Sequence, residues 1–130
     1  MLRFPLLRAL AGGFLTGRFT SGQHEGTRFS DTHVLGKYFQ NLYGDPKLQQ
    51  AMKNFESALK PLGVSGSEAS IRWIFHHSKL SEHDAVILGA SKLEQIKDSL
   101  RSISAGPLPD DVVKAIDSIW GTLEESRAGL

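Results

Sequence analysis

The chain has 130 residues, 40% of them apolar, enough for one domain with a real core. Its 15 Lys and Arg against 14 Asp and Glu leave a net charge of +1, which excludes the basic excess of a nucleic-acid surface and an acidic partner-binding tail. Without Cys there is no disulfide framework, thiolate metal site or cysteine nucleophile, and no apolar run reaches the roughly 18 residues that span a membrane.

From the N-terminus, Arg3, Arg8, Arg18 and Arg28 precede or flank the first acid, Glu25. That bias belongs to mitochondrial presequences, and MLRFPLLRALAGG has the outline of a short secretory signal, although Pro5 interrupts an amphipathic helix. Residues 20–45 are rich in Gly, Ser, Thr and Asp without sustained periodicity and read as one long loop. Within it, Ser21 to Asp31 has the character of a mobile lid.

Asp45-Pro46 opens a helix with a capping carboxylate and a proline at the first helical position. Leu48, Met52, Phe55, Leu59 and Leu62 form its apolar stripe, with Ala51 and Ala58 beside them, and Gly63 stops it. Ser65-Gly66-Ser67-Glu68 has capping-box spacing before EASIRWIFHHSKL, a helix apolar around more than half its girth and so suited to packing on two sides. His76 and His77 are adjacent, hence about 100° apart, and cannot chelate one ion together.

Ala85 to Leu88 reads as a fully buried strand of the kind found in parallel sheets. From Ser91 or Lys92 a helix follows, with Leu93, Ile96 and Leu100 on one face. After Gly106-Pro107-Leu108-Pro109, Asp110 and Asp111 suit the first turn of a last helix whose buried stripe is Val112, Ile116, Ile119 and Leu123, with Trp120 at its edge. The turn Gly89-Ala90-Ser91 joins strand to helix and presents backbone N–H groups and a positive dipole end, the arrangement that holds phosphate. Lys92 adds a charge, and Glu94, Gln95 and Asp98 offer polar contacts to a base or ribose.

DAVILGASKLEQIKDSL, preceded by EASIRWIFHHSKL and followed by GPLPDDVVKAIDSIW, resembles the C-terminal part of the aldo-keto reductases, most closely the aflatoxin-aldehyde reductase branch. LAGGFLTGR resembles the end of that family's seventh barrel strand and the loop after it, and TRF and GKYFQNLY stand where its long covering loop would lie. The resemblance divides the chain into a divergent N-terminus, residues 1–9, and residues 10–130 of an NADP-dependent oxidoreductase domain containing the long loop 20–45. It implies the C-terminal fragment of a (β/α)8 TIM barrel, α/β in class, mostly helical with one or two strands.

By the same resemblance, NADPH would be the cofactor and a small aldehyde or ketone the substrate. Gly89, Ala90, Ser91, Lys92, Gln95 and Asp98 match the segment holding the adenosine 2′-phosphate and adenine. Leu10, Gly12, Leu15, Thr16, Gly17 and Arg18 match the loop over the pyrophosphate, and Arg28 a loop arginine near cofactor or substrate. The chain departs from the pattern at Ser99, where the family often has Asn, at Phe39-Gln40 in place of Tyr-Arg, and at Arg8-Ala9 in place of Asn-Pro or Ser-Pro. The family's catalytic Asp, Tyr, Lys and His come from its early strands, so no catalytic residue and no metal ligand is assigned here. Tyr38 and Tyr43 fall in the loop.

These expectations describe a truncated or mis-joined reductase. The alternatives are a non-catalytic fragment that binds nucleotide weakly or docks on another reductase subunit, and a helical interaction module. No nucleic acid or membrane is expected as a partner. The expected compartment is the cytoplasm, with the mitochondrion as the alternative.

Overall fold

The computed structural model describes residues 5–123, with side chains through Ile119. In order, the elements are strand β1 (Pro5–Leu6), a 3-10 segment (Ala11–Thr16), helices α1 (Gly36–Tyr43), α2 (Pro46–Leu59) and α3 (Gly66–His76), strand β2 (Ala85–Val86), and helices α4 (Leu93–Ser104) and α5 (Asp110–Leu123). β1 and β2 are parallel, with Pro5 opposite Ala85 and Leu6 opposite Val86. The Ile87 N–H extends the ladder to the Leu6 carbonyl at 2.8 Å.

The helices begin where their caps dictate. Asp45 Oδ1 accepts from the Lys47 and Leu48 N–H groups at 2.8 and 3.3 Å, so Pro46 loses nothing by lacking its own N–H. Ser65 Oγ accepts from the Glu68 N–H at 3.1 Å. The return bond of a capping box is not made, because the Glu68 carboxylate accepts from Arg72 at 2.8 Å. Arg72 also donates to the Gly106 and Pro107 carbonyls, at 2.8 and 2.6 Å, and so ties α3 to the turn between α4 and α5. The adjacent histidines serve that same seam. His76 Nε2 bonds the Ile103 carbonyl at 3.0 Å, and His77 Nε2 accepts from the Leu108 N–H at 2.8 Å.

The core is aromatic and lies between the supposed loop and the helices. Phe14, Phe29, Phe39, Met52, Phe55, Leu59, Ala69, Leu108 and Val112 form one buried cluster. Phe19 stacks on Phe29 at 4.4 Å and Phe14 on Tyr43 at 4.9 Å, while Phe29 meets Phe39 edge-on at 6.1 Å. Full burial of such a side chain is worth about 1.5–3 kcal/mol. The segment 20–45 is therefore not one structureless loop. It winds through successive turns into α1, which puts Phe39 and Tyr43 on one face. Gly36 begins that helix in close contact with the chain, since a Cβ there would collide with the Ser30 carbonyl oxygen.

Three other expectations are corrected. β2 is not fully buried: with β1 as its single neighbour among the described residues, Ala85 is exposed and Ile87 is 50% exposed. Leu62 lies past the end of α2 in a 3-10 turn and is exposed. On α4 the amphipathic face exists, but Leu93 is 69% and Leu100 53% exposed, and of the three expected stripe residues only Ile96 is half-buried. In α5, Val112 is fully buried and Ile116 and Ile119 pack against the core, while the side chains of Trp120 and Leu123 lie outside the described set.

Candidate functional site

In parallel α/β structures ligands gather beyond the carboxyl ends of the strands. Here both strands run out in the same direction into one cleft of about 1380 Å³. Leu7 and Arg8 follow β1 into its wall, and Ile87, Leu88 and Gly89 follow β2. The opposite walls come from the 3-10 segment with the turns around Arg28, and from the first turns of α4.

The 3-10 segment owes its shape to backbone that few sequences can supply. Ala11, Gly12 and Gly13 are left-handed in succession, with φ of 52°, 69° and 100°. Thr16 Oγ1 donates to the Gly13 carbonyl at 2.6 Å, and Gly17, at φ 78°, closes the turn with its N–H on the Phe14 carbonyl at 3.1 Å. The Arg18 guanidinium is held by the Glu25 carbonyl at 3.0 Å.

On the facing wall, the start of α4 is capped from within. Gln95 Oε1 accepts from the Ser91 N–H at 2.8 Å and the Lys92 N–H at 3.2 Å, with the Ser91 hydroxyl at 3.3 Å. The Ser99 hydroxyl donates to the Gln95 carbonyl at 2.9 Å, and Arg101 pairs with Asp98 at 2.6 Å. The turn thus presents the N–H groups expected of an anion cradle, and a rotatable amide side chain covers them.

Eleven of the fourteen expected residues line this cleft: Leu10, Gly12, Thr16, Arg18, Arg28, Gly89, Ala90, Ser91, Gln95, Asp98 and Ser99. Segments some seventy residues apart in sequence are thereby brought to one place. The other three do not line it. Leu15 packs against the core, Gly17 is buried against the Glu56 side chain, and Lys92 is exposed at the head of α4. Leu15 and Gly17 therefore shape the 3-10 segment from behind.

Arg8, Ser65, Glu68 and Arg101 also line the cleft, and sequence reasoning did not include them. Glu68 and Ser65 had already been singled out as capping residues, which hid their second position. Arg8 had stood out only in the N-terminal arginine bias and as a departure from the family pattern. Among the described residues no group of three His, Asp or Glu side chains is placed to hold a metal ion, and no helix is long and apolar enough to cross a membrane.

Residues 5–121 match the aldo/keto reductase family. An aldo-keto reductase of Pseudocercospora fijiensis is 34% identical over 132 residues, covering 98% of this chain and 44% of that protein. Aflatoxin B1 aldehyde reductase member 2 of Rattus norvegicus is 35% identical over 133 residues, covering 94% of this chain and 36% of its own length. Its counterpart from Homo sapiens is 32% identical, with 92% and 36% covered. The chain thus spans less than half the length of the curated relatives it matches. That family's domain is a (β/α)8 barrel, and its members generally use NAD(P)H. The parallel strand pair with flanking helices is consistent with part of such a barrel. With nearly its whole length matched, the chain belongs to the aldo/keto reductase family.

Proposed function

We propose that this chain carries the nucleotide side of an NADPH-dependent oxidoreductase that reduces aldehydes or ketones to alcohols by hydride transfer. The observation that supports this is the cleft beyond the carboxyl ends of β1 and β2, where the 3-10 segment and the start of α4 face each other. Gly89, Ala90, Ser91 and Lys92 would hold the adenosine 2′-phosphate, with Gln95, Asp98 and Ser99 beside the adenosine. Leu10, Gly12, Thr16 and Arg18 would cover the diphosphate, on a backbone set by Leu15 and Gly17. Small residues at Gly89 and Ala90 let a phosphate approach, and the exposed Lys92 ammonium favours a dianion there. A phosphate at Ser91 requires the Gln95 amide to rotate off the two N–H groups it now caps. The proton donor and its activating lysine are assigned to no residue of this chain.

Titration of the full chain with NADPH and NADH, read by nicotinamide fluorescence, tests the reading. Saturable NADPH binding, with NADH weaker and Lys92→Ala narrowing the gap, is expected. An unchanged signal at millimolar NADPH would contradict it.

A second reading is that the chain docks on another reductase subunit. It is favoured by a strand pair with no further strand beside it among the described residues and by the exposed Leu7, Ile87, Leu93 and Leu100. Light scattering of the chain alone and with a full-length aldo-keto reductase separates the two readings, since docking requires a complex of defined mass.

A further inference from the structure

Between Pro107 and Pro109, neither of which has a backbone N–H, the turn from α4 to α5 keeps one donor, the N–H of Leu108. Leu108 is 4% exposed and belongs to the core cluster with Val112, so this N–H needs a partner from the protein rather than from water. The partner comes from the end of α3, where His77 Nε2 accepts it at 2.8 Å.

An imidazole nitrogen accepts a hydrogen bond only while it carries no proton. The contact therefore requires a neutral His77 with its hydrogen on Nδ1. A second proton would go to Nε2 and face the Leu108 N–H, donor against donor. The other bonds from α3 to this region have no such requirement. Arg72 donates to the Gly106 and Pro107 carbonyls at 2.8 and 2.6 Å, and a guanidinium stays charged throughout. His76 Nε2 lies 3.0 Å from the Ile103 carbonyl, which can only accept, so that ring donates whether neutral or charged. Of two adjacent histidines, one keeps its bond on protonation and the other loses it.

Nothing beside His77 compensates for that loss. On α3, Arg72 is paired with Glu68 at 2.8 Å; α4 brings Arg101, exposed and paired with Asp98. Residues 105–109 carry no charge, and α5 opens on Asp110 and Asp111, both exposed. Lys79, just beyond α3, is exposed as well. Among the described residues no carboxylate is paired with His77.

We propose that His77 is an acid-sensitive latch on the turn between α4 and α5. Neutral, it closes the seam through the Leu108 N–H; protonated, it releases that N–H and leaves the turn to Arg72. The latch is closed at neutral pH and opens on the acid side of the ordinary histidine value, about 6.5. The first turns of α4 form one wall of the cleft, so the latch sets how firmly that wall is anchored at its far end. This holds whatever ligand the cleft takes.

Two nuclear magnetic resonance measurements on the full chain test the latch. Imidazole nitrogen shifts at about pH 7.5 report the tautomer, and His77 should carry its proton on Nδ1 and none on Nε2. A proton on Nε2 would overturn the proposal. Amide exchange, corrected for its intrinsic pH dependence, reports the bond itself. Between about pH 7.5 and about pH 5, protection of the Leu108 N–H should fall about tenfold or more in wild type and in His76→Gln. In His77→Gln, whose amide oxygen accepts at either pH, the fall should stay within about twofold. Unchanged protection in wild type, or an equal fall in His77→Gln, would overturn the latch. The tautomer is read on wild type, so the proposal can fail even if His77→Gln does not fold.

Discussion

The half of the molecule built from the 3-10 segment, the turns and α1, α2 and α5 is closed, while the half built from β1, β2 and α4 is open. In the closed half, Phe14, Phe29, Phe39, Met52 and Phe55 bury one another, and glycines let backbone approach backbone. In the open half, strands of two residues pair once and α4 turns Leu93 and Leu100 outward. Hydrophobic periodicity alone does not decide what is buried. A helix face is buried only if another element supplies the opposing surface, and α4 packs on α3 while leaving Leu93 and Leu100 exposed.

The largest expected effect tests the closed half. Phe39→Ala should cost about 3–5 kcal/mol in urea unfolding, because it empties the centre of the aromatic cluster; a loss under about 1 kcal/mol would mean that the segment 20–45 is not part of the core. Gly36→Ala should cost about 1–3 kcal/mol through its collision with the Ser30 carbonyl. Arg72→Ala, which strips partners from two carbonyls and a carboxylate at the seam between the halves, should cost about 1–3 kcal/mol. Leu100→Ala, on the open face, should stay within about 0.5 kcal/mol. A larger loss there would mean that the face is covered in solution, and the halves would then differ less than they do here.

The smallest effect is electrostatic. Burial raises the Tyr43 phenol above its usual value; the Arg8 cation opposes that and Tyr38 adds to it. The folded state thus holds this proton more tightly than the unfolded chain does. The contribution is complete below about pH 10 and is lost as pH rises through the folded value. Tyr43→Phe should flatten the fall of the thermal midpoint that wild type shows as pH rises above about 10.

What the sequence made legible follows the same division. Asp45 and Ser65 announced α2 and α3, because caps are local chemistry, and Asp110 with Asp111 marked the start of α5. α1 was hidden because it is two turns long, starts on a glycine and has no acid in its first turn. The partner of β2 was hidden because Pro5 and Leu6 lie some eighty residues away, in a segment whose arginines suggested targeting.

For the candidate site, spacing alone marked the turn at Gly89 to Ser91, and only the family pattern joined it to Leu10 to Arg18. Arg8 could not be read in advance, since its place depends on a left-handed residue and on a phenylalanine thirty-one positions later. Gln95 was read as a contact for a base or ribose, and in the fold its side-chain amide oxygen accepts from the Ser91 and Lys92 N–H groups.

The account turns on one cleft being shared by two distant segments. Amide resonances of the full chain, followed by nuclear magnetic resonance during titration with NADP+, measure this directly. The account predicts concerted, saturable shifts at Gly12 to Arg18 and at Gly89 to Gln95 with a single dissociation constant. Shifts at only one of the two segments, or at neither, would contradict it.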